Sequence, residues 1–192
     1  DIEVEQKGEV AWIRLNRPDR MNAYDGAMAK ELIAAIEGAS ESGVIVLTGA
    51  GRAFCAGGYL ANLSKADPAA LRKMFYGSLH VYEAIRNSPR PVIAAVNGAA
   101  AGGGNELVVA CDLAIAVESA TFGQTGVRVG SAPVLGGTNF LAMTIGEKRA
   151  KEVAPGIDPA ETTLIITGHG TGLNQNSTKA IRDQVELIAA SG

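Results

Sequence analysis

The chain has 192 residues, a formal net charge of −3 and a hydrophobic content of 47%. This length is enough for one domain with a sizeable core, alone or with a fragment of another. The sequence has no basic block, so its charge pattern predicts neither nucleic acid nor an anionic membrane as a partner. Aromatic residues make up only 5% and there are 24 glycines, which favours closely packed α/β layers over an aromatic-rich β-sandwich.

The two cysteines, Cys55 and Cys111, both lie among apolar residues. This setting favours buried free thiols in a reducing compartment over a disulfide. The sequence shows neither the pattern of a signal peptide nor an apolar run long enough to span a bilayer. We therefore expect a soluble cytoplasmic protein.

Apolar periodicity predicts alternating strands and helices. Strands are expected at 2–6, Val10–Leu15, 44–47, Val92–Val96 and 113–117, the first at a sheet edge, the second with one solvated face and the other three buried. Helices are expected after the N-cap Asp25, from Pro68 to Arg86, after residue 104, at 139–145 and at 147–153. This order predicts an α/β fold with parallel strands, and both a doubly wound sheet and a spiral of β-β-α units fit it.

Two loops rich in small residues, 54–60 and 98–106, each follow a predicted buried strand. Glycines there would let backbone N–H groups point at one oxyanion, and a helix N-terminus also favours negative charge. The alternative is that the small residues only permit tight strand–helix packing. Neither loop has the GxGxxG or GxxxxGK[ST] spacing of a nucleotide site. Glu106 stands just inside the helix that follows, where a carboxylate is also explained simply by the helix dipole.

Four stretches together resemble the crotonase, or enoyl-CoA hydratase/isomerase, superfamily. They are LNRPDRMNA, RAFCAGGYL, RPVIAAVNGAAAGGGNELVVACDLAIA and ATFGQTGVRVGSAPVLGGTNFLAMTIGEKRAKE, which occur in the family's order between about residues 10 and 153. The resemblance implies a crotonase-like spiral of β-β-α units, a trimer or a dimer of trimers, and a coenzyme A thioester as substrate with no tightly bound cofactor.

The resemblance also implies roles for particular residues. The two oxyanion donors fall on the N–H groups of Gly58 and Gly103, and Glu106 matches one of two catalytic glutamates. Contacts to the substrate or its CoA moiety are implied for Arg17, Arg20, Asn22, Ala23, Ala56, Gly57, Tyr59 and Gly104.

The sequence also departs from the hydratase pattern. The second catalytic glutamate falls on Gly126, and no carboxylate occurs between residues 121 and 146. GQTGVRVGS resembles the dihydroxynaphthoyl-CoA synthase and ketocyclohexanecarboxyl-CoA hydrolase branches, and some members of the former use a bound bicarbonate as base. Here Gln124, Thr125 and Gly126 would hold it. FCAGGYL resembles the chlorobenzoyl-CoA dehalogenase branch, but its nucleophilic Asp falls on Val134, which argues against dehalogenation.

From residue 154 the family pattern stops, and an atypical βα segment is expected over 154–192. Residues 158–190 resemble the opening of class II chelatases, whose metal-binding histidine falls on His169. One histidine is a weak metal signal, so no metal site is predicted. A fusion, a truncation or missing segments would each explain this change of pattern. The leading hypothesis is thus an acyl-CoA enzyme of the hydratase/isomerase type, the alternatives being a hydrolase or synthase of the same family and a non-catalytic scaffold or chimera.

Overall fold

The computed structural model describes residues 1–59, 61, 67–125, 133, 140, 141 and 144–146. The strands in these residues are β1 (Ile2–Lys7), β2 (Val10–Leu15), β3 (Val44–Gly49), β4 (Ala53–Cys55), β5 (Val92–Val96), β6 (Ala99–Ala101), β7 (Leu113–Ala116) and β8 (Phe122–Gly123). The helices are α1 (Gly26–Gly38), α2 (Pro68–Arg86) and α3 (Gly103–Ala110), with a short 3-10 helix at Pro18–Arg20.

The strands form two sheets. The larger has the order β1-β2-β3-β5-β7, in which β1 is an antiparallel edge strand and the other neighbours are parallel. The smaller has the order β4-β6-β8, all parallel. Each later unit therefore sends its first strand to the large sheet and its second to the small one. This arrangement is the predicted spiral of β-β-α units, and it rules out a single doubly wound sheet.

The core lies between the large sheet and the helices. Residues of β2 alternate between buried and half-buried, because successive side chains of a strand point to opposite faces. On α1, Met28, Leu32 and Ile36 recur at helical spacing and are almost completely buried. Helix α1 packs on α2 and α2 on α3, so the helices follow the spiral and place the start of α3 inside the molecule.

The structure corrects two features of the sequence-based prediction. The strand expected at 113–117 is not buried throughout, since Ile115 is 62% exposed at the edge of the large sheet. Strands β4 and β6 of the small sheet overlap the two segments predicted as loops, because three residues are too few to show a strand period. The segments expected at 147–153 and 154–192 lie outside the described residues.

Candidate functional site

The turn between β2 and α1 is fixed by the side chain of Asn22, which is completely buried. Its Nδ2 donates to the carbonyls of Ala50, Ala53 and Phe54 at 2.9, 2.8 and 3.2 Å. Its Oδ1 accepts a hydrogen bond from the backbone N–H of Arg17 at 2.9 Å. Asn22 therefore joins the turn to the β3–β4 segment, and its polar atoms are used by the protein itself.

Tyr24 then pairs with the first glycine-rich loop through its backbone. The Tyr24 N–H donates to the carbonyl of Gly57, and the Tyr59 N–H donates to the carbonyl of Tyr24, both at 2.9 Å. In such a parallel bridge the residue between the two bonds, Gly58, turns its own N–H away from the partner strand. Gly58 is exposed, and a Cβ there would meet nothing within 4 Å. Its N–H therefore points away from Tyr24.

The second glycine-rich loop touches the first at Gly57 and Gly103. Gly57 has a φ of +93°, and a Cβ on it would lie 2.9 Å from the nitrogen of Gly103 and 2.8 Å from the carbonyl oxygen of Ala101. Only glycine permits both this conformation and this approach. Helix α3 begins at Gly103, and its first backbone bond runs from Glu106 N–H to the carbonyl of Gly102 at 3.0 Å. The N–H of Gly103 therefore belongs to the open first turn.

Glu106 lies in the first turn of α3 and is only 2% exposed. Two phenols lie within its electrostatic reach. Burial raises the pKa of Tyr24 well above its usual value, with further raising by Cys55 and Glu106, while a hydrogen bond with Ser78 opposes this. Burial also raises the pKa of Tyr82, and Glu106 adds to this while Arg86 opposes it. The structure thus gathers a carboxylate and two neutral phenols behind the glycine loops.

Arg20 and Tyr59 come together at the surface. The guanidinium carbon of Arg20 lies 4.5 Å from the centroid of the Tyr59 ring, a cation–π arrangement that leaves Arg20 exposed. Arg17 differs, because its side chain is only 15% exposed and donates to Asp1 at 2.7 Å and to Asp25 at 2.8 Å. The charge of Arg17 is therefore already balanced within the protein, whereas Arg20, whose Nε lies 3.7 Å from the exposed Asp19 carboxylate, keeps its charge at the surface.

Gln124 lies beside the helix that carries Glu106. It is 4% exposed, and its side-chain oxygen accepts a hydrogen bond from Nδ2 of the buried Asn105 at 3.3 Å. The hydroxyl of Thr125 lies near Gly102, 3.8 Å from where a Cβ would stand. Gly126, Val134 and His169 lie outside the described residues.

The remaining expected contact residues lie in the same two loops and in the turn. Ala23 is buried, Ala56 is half-buried and donates its N–H to the carbonyl of Met21 at 2.9 Å, and Gly104 is buried against Cys55. The sequence interpretation gave no role to Tyr24, Ser78 or Asn105. The sequence could have indicated Asn105, because it adjoins Glu106. No local sequence pattern links Tyr24 to Ser78 on α2.

Comparison with known proteins places the chain among enzymes of one family. Residues 5–159 match the family described as enoyl-CoA hydratase/isomerase. The chain belongs to the enoyl-CoA hydratase/isomerase family, and its architecture is the crotonase-like α/β fold.

Individual relatives support the same assignment. A protein described as a probable enoyl-CoA hydratase from Rhodobacter capsulatus is 44% identical over 147 residues, covering 76% of this chain and 57% of the relative. The short-chain-enoyl-CoA hydratase of Clostridium acetobutylicum is 37% identical over 157 residues, covering 80% and 60%. A crystal structure of an enoyl-CoA hydratase from Bacillus anthracis superposes with a TM-score of 0.75 at 38% identity, covering 79% and 61%. The chain thus spans about three fifths of the length of these relatives.

The described residues also bear on metal binding and on membrane spanning. Within residues 1–125 and the few described beyond them, apart from the gaps, no three His, Cys, Asp or Glu side chains are grouped as metal ligands. In the same part of the chain, none of the helices combines the length and apolar character needed to cross a membrane.

Proposed function

We propose that this chain carries the acyl-CoA site of an enzyme that stabilises a thioester enolate. Gly58 and Gly103 donate their N–H groups to the thioester oxygen, and Glu106 transfers the proton. The observation that supports this most directly is the contact between the two glycine loops at Gly57 and Gly103, with buried Glu106 in the adjoining helical turn.

The chemistry needs these groups for the following reason. When water adds to the β-carbon of an enoyl thioester, or when a proton leaves the α-carbon, negative charge develops on the thioester oxygen. Two N–H groups held in position before the reaction stabilise that charge without reorganisation, and one such donor contributes about 3 kcal/mol. A carboxyl group beside the α-carbon can then give the proton as the acid or take it as the carboxylate.

The same proposal assigns the CoA moiety to the outer end of the site. Arg20, held over Tyr59, presents a guanidinium suited to a phosphate group. Arg17 and Asn22 instead hold the turn, since both are bonded within the protein. The backbone of Ala23, Ala56, Gly57 and Gly104 shapes the cleft around the thioester.

A second candidate reaction is favoured by Gly126, which stands where a hydratase has its second glutamate. A hydrolase or a dihydroxynaphthoyl-CoA-synthase-like enzyme would use the same oxyanion donors, with a bicarbonate beside Gln124 and Thr125. The amide nitrogen of Gln124 is the atom that would donate to that anion, and the bond from Asn105 to the amide oxygen fixes the orientation of the group. A scaffold without activity is the remaining alternative.

The proposal extends to assembly as a homotrimer or hexamer in the cytoplasm. Ile115, Val117 and Phe122 are 62%, 47% and 38% exposed along two sheet edges, and such apolar surface suits contact with further protein. Multi-angle light scattering of the purified chain measures this directly. A monomer at all concentrations would contradict this part of the proposal.

The catalytic part is tested by replacing Glu106 with glutamine, which keeps the shape but cannot accept a proton. Two readouts are used, hydration of crotonyl-CoA and deuterium incorporation at the α-carbon of butyryl-CoA in D2O. We expect wild-type turnover in at least one and a decrease of about 100-fold or more in Glu106→Gln.

Glu37→Gln is the matched control, because Glu37 is exposed on α1 and should leave both rates unchanged. Equal rates for Glu106→Gln and wild type would remove Glu106 from the mechanism. Calorimetric binding of CoA by a wild-type chain that neither hydrates nor exchanges would support the scaffold and overturn the enzyme proposal.

A further inference from the structure

One residue touches both proposed oxyanion donors. The backbone of Tyr24 holds the loop on either side of Gly58, through bonds of 2.9 Å to the carbonyl of Gly57 and from the N–H of Tyr59. Its side chain reaches the other donor, since the Tyr24 Oη lies 2.8 Å from where a Cβ on Gly103 would stand, and its nearest ring carbons 3.4 Å from that point. Tyr24 is 5% exposed, so both contacts lie inside the protein.

The phenol of Tyr24 is itself held in place by α2. The side chain of Ser78 is placed to hydrogen-bond with its hydroxyl, which opposes the rise in the pKa of the phenol. A buried hydroxyl needs such a partner, because leaving it without one is unfavourable. Tyr24 is therefore held at its backbone by the first glycine loop and at its hydroxyl by α2, and Gly103 packs against its phenol.

The separation of two donors matters more than the strength of either one. Both N–H groups must point at a single oxygen atom, and displacements of well under 1 Å weaken electrostatic stabilisation of a transition state. Backbone N–H groups cannot be moved by their own side chains, least of all at glycine. Their spacing must be set by the direct contact of the loops at Gly57 and Gly103 and by the groups that pack against both donors.

We propose that Tyr24 is a positioning residue that sets the spacing between the Gly58 and Gly103 N–H groups, with Ser78 fixing its hydroxyl. This inference rests on the proposed function and deepens it. It assigns Tyr24 no proton transfer and no contact with the substrate.

The test compares Tyr24→Phe, Ser78→Ala and the double variant. Tyr24→Phe keeps the ring and its backbone bonds but removes the oxygen beside Gly103. In whichever of the two assays wild type turns over, hydration or α-carbon exchange, we expect kcat to fall about tenfold with KM changed less than about twofold. Ser78→Ala frees the phenol and should lower kcat by a similar factor. Because the two side chains act as a pair, the double variant should be little worse than either single variant.

A spectroscopic readout separates positioning from general stability. The infrared carbonyl band of butyryl-CoA labelled with carbon-13 at the thioester should shift to lower frequency on binding to wild type, because the donors polarise it. Tyr24→Phe should show a smaller shift while its urea unfolding midpoint stays close to that of Tyr76→Phe. Tyr76 is the matched control, since it is 56% exposed on α2.

The outcomes distinguish the inference from the function on which it rests. The absence of any band shift in wild type would overturn the proposed oxyanion hole. A wild-type shift that is unchanged in Tyr24→Phe, with kcat also unchanged, would overturn the positioning role alone. Additive losses in the double variant would exclude Ser78 as the group that acts through Tyr24.

Discussion

The α-carbon of Gly104 packs directly against the carbonyl group of Cys55. A Cβ at residue 104 would overlap the carbonyl oxygen of Cys55 and would stand 2.6 Å from its carbonyl carbon. The contact joins the end of β4 to the first turn of α3, between the segments that carry Gly58 and Glu106. Neither partner can move aside, because one is backbone in a strand and the other is backbone in a helix.

Gly104→Ala should therefore destabilise the fold strongly. Overpacking usually reduces the free energy of unfolding by 1–3 kcal/mol, and here the obstruction is backbone, so we expect a loss of about 3 kcal/mol or more. Gly77→Ala is the control, because it also lies in a helix but a Cβ there would meet nothing within 4 Å. That variant should gain about 0.5–1 kcal/mol. Urea unfolding of both variants gives the comparison, and equal stability would contradict the close packing.

Asn22 should contribute more to stability than a typical turn residue. Asn22→Ala removes the donor to the carbonyls of Ala50, Ala53 and Phe54 and should cost about 2–4 kcal/mol in the free energy of unfolding. Asn22 also has a φ of +57°, which alanine tolerates poorly. Asn22→Gly loses the same bonds without that strain, so it should be about 1 kcal/mol more stable than Asn22→Ala. The reverse order in thermal unfolding would argue against the left-handed turn.

Asp25 should make stability depend on pH in the acid range. Burial acts to raise its pKa, but the hydrogen bond from Arg17, those from the N–H groups of Met28 and Ala27, and the Arg17 charge outweigh burial and lower it. Its carboxylate therefore stabilises the fold above the unfolded-state pKa of about 3.9, and this contribution is lost as the pH falls through the lower folded-state value.

Asp25→Asn retains the oxygen that caps α1 but removes the charge and replaces Oδ2, the acceptor for Arg17, by an NH2 donor. We expect it to be about 0.5–1 kcal/mol less stable than wild type at pH 7, with the difference decreasing as the pH falls below about 4. Asp19→Asn, at an exposed position, should match wild type throughout this pH range. A difference for Asp25→Asn that persists unchanged at low pH would show that the charge is not the cause.

Arg20 should determine CoA affinity more than Arg17 does. Arg20→Ala should raise the Kd for CoA about 3- to 10-fold, with a smaller effect at high salt, because a surface guanidinium–phosphate contact is screened. The Kd of Arg20→Lys should lie between those of wild type and Arg20→Ala, since lysine keeps the charge but lacks the planar group over Tyr59. Isothermal titration gives the Kd values, with Arg14→Ala on β2 as the control. An unchanged Kd for Arg20→Ala would place the phosphates elsewhere.

The sequence predicted the long elements well and the short ones poorly. The edge position of β1 and the one solvated face of β2 are confirmed, because five or six alternating residues suffice to show a period of two. The small sheet escaped prediction because its strands have two or three residues each, held by pairing with residues distant in sequence. The assignment of catalytic and binding roles stays a prediction at every residue.

By itself, the sequence determined the α/β class, the starts of α1, α2 and α3 within a few residues, and the two glycine loops with a carboxylate just beyond the second. Local chain chemistry is enough for these, since periodicity and glycine content act over a few neighbouring residues. Only the tertiary structure decided between a doubly wound sheet and a spiral, and only it brought Tyr24 to Gly58 through its backbone and to Gly103 through its phenol. Those contacts join residues about 35 and 80 positions apart, so packing alone establishes them.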